Sequence, residues 1–163
     1  LENIVYKTIG DQYSNDVIQL ILPIQQIEFG VRVTLEDQPD LKAIKAFYCE
    51  TGGNFWGAFD GDTLVGTIAL INVGHQAGAI RKMFVKKEYR GKEFGIAQQL
   101  LAKLLAYSQE QGIKDIYLGT VEQLKAAQRF YEKNQFTLIP KTDLPAYFPV
   151  MSSDSMFFHR QLN

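Results

Sequence analysis

The chain has 163 residues, 46% of them hydrophobic, with a formal net charge of −1 and one cysteine. That length suits one domain with a sizeable core, and the near-neutral charge excludes the broad positive field of a general nucleic-acid or membrane-surface binder. Cys49 alone permits no internal disulfide, no secretory-type leader is read at the start, and no apolar run approaches ~18 residues, so a reducing cytoplasm is the expected compartment.

Ile4 to Ile9 alternates as a strand. Val17, Leu20, Ile21 and Ile24 then share one face of a helix that Asp11 or Ser14 could cap. Pro23 lies inside that pattern and predicts a kink or break. Gly30 closes the stretch carrying Glu28 and Phe29, and Val31 to Leu35 reads as a connector. Asp37 to Asp40 opens a short amphipathic helix with Leu41, Ile44, Lys45 and Tyr48. Phe55 to Phe59 and Leu64 to Ile71 are two strands around Asp60-Gly61-Asp62, a hairpin signal. Asn72 to Gly78 reads as a turn, with His75 a solvated surface residue. Residues 79 to 85 alternate again, with Arg81, Met83 and Val85 opposite Ile80, Lys82 and Phe84.

From Ala97 the period lengthens. Leu100, Leu101, Leu104, Leu105 and Ser108 continue a helix face that Gln111-Gly112 ends. Ile113 to Val121 is a strand. Gln123 to Asn134 is a helix with Leu124, Ala127 and Tyr131 on one side. Phe136 to Ile139 is a strand, Pro140 to Pro149 a loop, and Ser155 to Leu162 a last strand. This mixed order implies α/β layering with a mixed sheet. No metal-ligand spacing joins His75 and His159.

The turn between the 79–85 strand and the Ala97 helix concentrates charge. Arg81, Lys82, Lys86, Lys87, Arg90 and Lys92 are opposed in that interval by Glu88 alone. A helix N-terminus offers unpartnered N–H groups and partial positive charge, and glycines let an anion approach the backbone. Two readings fit: a cradle for a phosphate-bearing ligand, and a solvated basic strand end.

Arg90-Gly91-Lys92-Glu93-Phe94-Gly95-Ile96-Ala97 resembles the acyl-CoA loop of the GCN5-related N-acetyltransferase (GNAT) superfamily, Gln/Arg-x-x-Gly-x-Gly/Ala, with Arg90 first and Gly95 last. Downstream, Ala127-Gln128-Arg129-Phe130-Tyr131-Glu132-Lys133-Asn134-Gln135-Phe136 resembles the family's Ala-x-x-Phe-Tyr-x-x-x-Gly-Phe segment. The resemblance implies one GNAT-like α/β domain over residues 1–163. Its sheet would be mixed and mostly antiparallel, flanked by helices, with the strand ending at Val85 splayed from the strand at 113–121.

The resemblance implies acetyl-CoA as cosubstrate. Backbone groups of Met83, Phe84 and Val85 would meet the pantetheine arm. Those of Arg90, Gly91, Lys92, Glu93, Phe94, Gly95, Ile96 and Ala97 would surround the pyrophosphate. Leu124 stands where many relatives carry a cofactor-contacting asparagine. Tyr131 matches the general acid that protonates the departing thiolate; on spacing alone, the reading as a core aromatic wins. Glu28 is the candidate base or cation anchor in the region bordering the acceptor pocket, and the bland reading is an exposed glutamate. Phe29, Trp56, Tyr147 and Phe148 either line that pocket or pack. Three positions depart from the pattern: Glu93 for a loop glycine, Leu124 for the asparagine, and Gln135 for the glycine before Phe136.

The function so implied is acetyl transfer to the primary amine of a small molecule or peptide by direct attack, with no nucleic-acid or membrane partner. The alternatives are a non-catalytic acyl-CoA-binding or regulatory domain, and an unrelated phosphate or nucleic-acid binder using the basic cluster. Oligomeric state is unreadable from the sequence, and a homodimer is left open.

Overall fold

In the computed structural model, which describes residues 3–163, the alternating segments pair into one seven-stranded sheet. β1 (Ile4–Thr8), β2 (Asn54–Asp60), β3 (Thr63–Gly74) and β4 (Ala77–Val85) pair antiparallel in that order. β5 (Asp115–Thr120) joins β4 in parallel. β7 (Met156–Gln161) lies antiparallel to β5, and β6 (Thr137–Ile139) closes the far edge against β7. The expected mixed, mostly antiparallel sheet is what forms.

Period-2 alternation gives that sheet two apolar faces. Phe55, Phe59 and Ala69 pack with Val17, Leu20 and Ile21 of α1 (Ser14–Pro23). On the other face Trp56, Ile68, Leu70, Ile116 and Leu118 meet Leu100, Leu101 and Leu104 of α2 (Ile96–Glu110) and Tyr131 of α3 (Lys125–Lys133). Each such leucine, fully withdrawn from water, contributes about 1.5–3 kcal/mol. No helix of the described residues is long and apolar enough to cross a membrane.

Three local expectations are corrected. The helix expected from Asp37 is instead a 3₁₀ turn at Pro39–Lys42 and a π-helical turn at Lys45–Cys49. Gln38 and Asp40 turn inward there and are buried, and the Tyr48 hydroxyl donates to Asp40 Oδ2 at 2.6 Å. The hairpin strand expected to stop at Ile71 runs on to Gly74, and the turn shrinks to His75-Gln76, both at φ 57. Two left-handed residues are what a tight hairpin turn demands, and exposed His75 stacks on Tyr147 at 4.0 Å. Pro23 ends the regular part of α1, as expected, and a π-helical turn follows at Ile24–Glu28.

The third correction concerns β4 itself. Its alternation breaks at Lys82, which has φ 52, and the register with β3 shifts between Thr67 and Ala69. Thr67 Oγ1 donates to the Lys82 carbonyl at 2.7 Å, serving the displaced backbone. A bulge bends and twists its strand. Pairing between β4 and β5 runs from Ala77–Asp115 to Ile80–Leu118 and stops there, although β4 continues to Val85 and β5 to Thr120. The two strands splay from that point.

Candidate active site

The splay opens into a cleft of about 650 Å³. Its floor is Met83, Phe84 and Val85 of β4. One wall is the N-terminal turn of α2, with Gly95, Ile96 and Ala97; the other is α3, with Ala127, Phe130 and Asn134. Gln98 Nε2 of α2 donates to Asn134 Oδ1 at 2.9 Å, bridging the walls.

The loop entering α2 is shaped by two glycines in the left-handed region, Gly91 at φ 118 and Gly95 at φ 65. The Gly91 carbonyl accepts from Phe94 and Gly95 N–H, at 3.3 and 3.2 Å. The first helical bond runs from Gln99 N–H to Gly95 C=O, at 3.0 Å. The N–H groups of Ile96, Ala97 and Gln98 therefore precede the helical ladder and face an anion-favouring dipole. Arg90, Lys92, Arg129 and Lys133 add four cationic side chains to the lining, which includes no carboxylate. The last two escape a reading centred on the loop, yet their i, i+4 spacing on α3 sets them on one face.

Of the residues expected to meet the acyl donor, Met83, Phe84, Val85, Arg90, Gly91, Lys92, Gly95, Ile96, Ala97 and Leu124 line this cleft. Glu93 and Phe94 do not. The Glu93 carboxylate folds back over Gly91, where a Cβ would stand 3.0 Å from Oε1, and the Phe94 ring packs edge-on against Tyr89.

Arg90 is committed to the protein. Its Nε donates to the Val85 carbonyl at 2.8 Å, Nη2 donates to Glu28 Oε1 at 2.8 Å, and Nη1 donates to Glu28 Oε2. The guanidinium lies 5.7 Å from the centre of the Phe29 ring. Glu28 is thus a clasp for the loop. Its hydrogen bond from Arg90 holds the carboxyl below the usual range against a modest opposing effect of burial. Both oxygens are occupied, and Glu28 lines neither the cleft nor the cavity next to it. This geometry corrects the expectation of a free base at the acceptor pocket.

That adjoining cavity, about 110 Å³, shares Met83, Phe84, Leu124 and Ala127 with the cleft. Tyr131 faces it from α3, 4% exposed; its hydroxyl donates to Met83 Sδ at 3.4 Å. Burial pushes the Tyr131 hydroxyl up, so it stays protonated through the physiological range. Arg81, Lys82 and Asp154 line the same cavity. Lys82 is buried at the bulge; its ammonium donates to Gln38 Oε1 and stands 3.7 Å from Asp40 Oδ2. Burial pulls its pKa down, with the neighbouring Asp40 opposing.

Of the four aromatic residues read as either pocket lining or packing, three pack. Trp56 is core, edge-on to Tyr107, and Phe148 packs with Ala79 and Phe157. Tyr147 lies on His75, and Phe29 faces the larger cleft. His159 pairs with Asp115 at 2.8 Å, and no group of three His, Cys, Asp or Glu among the described residues could hold a metal ion. Cys49 is half-buried, its thiol donating to Asn54 Oδ1 at 3.5 Å and pushed up by burial.

The family model described as the acetyltransferase (GNAT) family matches residues 18–136. An acetyltransferase of the GNAT family from Staphylococcus aureus MU50 superposes with a TM-score of 0.95 at 39% identity, covering 99% of this chain and 100% of that one. A PaiA N-acetyltransferase from Thermoplasma acidophilum, solved in complex with coenzyme A, shares the fold with a TM-score of 0.73 at 18% identity, covering 98% and 99% of the two chains. The probable N-acetyltransferase 14 of Xenopus tropicalis is 30% identical over 112 residues, 68% of this chain and 53% of its own. The chain spans about half the length of the curated relatives it matches.

Proposed function

The chain belongs to the acetyltransferase (GNAT) family, and from that premise we propose that it moves an acetyl group from acetyl-CoA to a primary amine by direct attack. One observation carries the choice of donor: a cleft lined by Lys92, Arg129 and Lys133 beside the Glu28-paired Arg90, between unladdered helix N–H groups and a strand edge released from its neighbour. A ligand with phosphates at one end and amides along its arm suits all three features.

In this reading the α2 N-terminus and the Lys92, Arg129 and Lys133 side chains hold the phosphates. The Glu28–Arg90 clasp fixes the loop that presents those N–H groups. The open edge of β4 beyond Ile80 pairs with the amides of the arm and directs the thioester toward the small cavity, where the acceptor binds. Bringing the two together is the protein's largest contribution. Tyr131 already donates to a sulfur, that of Met83, and gives its proton to the departing thiolate.

The test is a screen of primary amines with acetyl-CoA, read as free thiol. Turnover above the rate without enzyme is expected for at least one class of amine. Saturable CoA binding with no turnover across small amines, amino acids and peptide N-termini would make the chain a non-catalytic acyl-CoA binder.

A further inference from the structure

We infer that Asp154 takes the proton from the acceptor's ammonium, in the small cavity it shares with Tyr131. The inference rests on the transfer reaction proposed above and assigns it the base that Glu28 does not supply.

Asp154 lies just before β7, in a loop pinned by two backbone bonds. Ser155 N–H donates to the Thr120 carbonyl at 2.8 Å, and Asp154 N–H donates to the Met151 carbonyl at 3.0 Å. Its carboxylate lies over Gly119 of β5. A Cβ at Gly119 would stand 2.3 Å from Asp154 Oδ2, so the absence of a side chain there makes the space that Asp154 fills. From that place it lines the cavity with Met83, Thr120 and Tyr131, at the mouth of the splay.

The neighbouring charges are otherwise engaged. From β4, Lys82 is held by Gln38 and Asp40, and Arg81 Nη2 donates to the Pro149 carbonyl at 2.6 Å. From the Pro39–Lys42 turn, Asp40 accepts from Tyr48. From α3, Tyr131 is neutral, and β5 presents only Gly119 and Thr120. The ion pairs among the described residues involve Asp40, Glu28 and Asp115, not Asp154. Asp154 therefore keeps lone pairs for an incoming N–H donor. Burial pushes its carboxyl up to about 6, with the charge of Arg81, the backbone of Met151 and the charge of Lys82 opposing. It is ionised at neutral pH and a stronger base than a solvated carboxylate.

The step balances as follows. The ammonium gives one proton to Asp154 Oδ, which later passes it to solvent. The freed lone pair forms the C–N bond as the C–S bond breaks. Tyr131 protonates the thiolate, and the proton shed by the nitrogen after attack restores Tyr131.

The experiment compares wild type, Asp154→Asn and Gly119→Ala, with spermidine, kanamycin, L-lysine and a tetrapeptide as acceptors. It follows kcat/KM for the fastest of these from about pH 5.5 to about pH 9.5. Wild-type kcat/KM is expected to rise through about pH 6. Asp154→Asn falls about 10²–10⁴-fold at neutral pH and regains ground as solution deprotonates the amine. Gly119→Ala displaces the carboxylate and loses rate in the same pH-dependent way. CoA affinity is unchanged in both.

Asp154→Asn also melts no lower than wild type at neutral pH. A carboxyl raised on folding lowers stability as pH rises from its unfolded pKa through its folded one, so removing that charge relieves the molecule. Wild-type kcat/KM in Asp154→Asn, or a loss equal at every pH, overturns the assignment while leaving the transfer reaction standing. If Asp154→Asn fails to bind CoA, a wild-type rate in Gly119→Ala overturns it instead. A wild-type protein that binds CoA but releases thiol with none of the four acceptors overturns the reaction itself and the assignment with it.

Discussion

Glu28 and Tyr131 illustrate how a side chain's neighbours decide its chemistry. Glu28 spends both oxygens on Arg90, so its expected role is indirect. Glu28→Gln should weaken CoA about 2- to 5-fold, the range of an exposed ion pair, by loosening the loop. It should leave the shape of the pH–rate profile unchanged. A loss that grows as pH falls would restore Glu28 as a base. Tyr131→Phe removes one hydroxyl whose only hydrogen-bond acceptor among the described side chains is a thioether, so the helix packing should survive. We expect kcat and kcat/KM to fall together, by about 10- to 100-fold. A thiolate, with a thiol pKa near ~8.5, needs modest help to leave. Steady-state thiol release beside a CoA titration reads both variants, and a fully active phenylalanine variant would return Tyr131 to the core.

Among the elements, β4 governs the site, and its bulge is held by one side chain of β3. Thr67 is fully buried and its hydroxyl serves the Lys82 carbonyl. Thr67→Val keeps the shape and removes that donor. The expected cost is about 1–3 kcal/mol in urea unfolding at constant m, together with a lower acceptor kcat/KM. A variant as stable as wild type would mean that the bulge stands without this bond.

The strand's existence was legible from the alternation of residues 79 to 85, and the loop and helix after it from glycines and a change of period. The bulge was not legible, because it depends on which β3 residues lie opposite. The 37–48 segment has a helical spacing that is overridden once Gln38 and Asp40 meet the Lys82 ammonium, some forty positions away. Asp154 stands in a stretch without periodicity, and the glycine that makes room for it belongs to another strand. What sequence left unread was in each case a long-range relation, polar at the bulge and the 37–48 turns and steric at Asp154, which local pattern does not encode.

At the scale of the whole molecule, the cleft lies between β4, α2 and α3, elements from three separate stretches of the chain. A ligand filling it should therefore stabilise the fold as a unit. CoA at ~100 times its dissociation constant should add about 2.7 kcal/mol, or roughly 5–11 °C in melting temperature at this size. The shift should shrink with added salt, since phosphates and cations dominate one end of the cleft. A melting curve indifferent to millimolar CoA would remove the donor assignment.

The early end of the β4–β5 ladder has a consequence beyond chemistry. A released strand edge ordinarily invites a second polypeptide to add a strand, the route by which β-proteins aggregate. Here the outer margins of the sheet are brief, five residues in β1 and three in β6. The inner opening, from Arg81 to Val85, is instead recessed between α2 and α3, which Gln98 and Asn134 tie together. A slender chain of methylenes and amides can enter that slot, whereas a full strand with its side chains meets the two helices first. The unpaired edge is in this way set back from the outer margins of the sheet, where a second strand would most readily add.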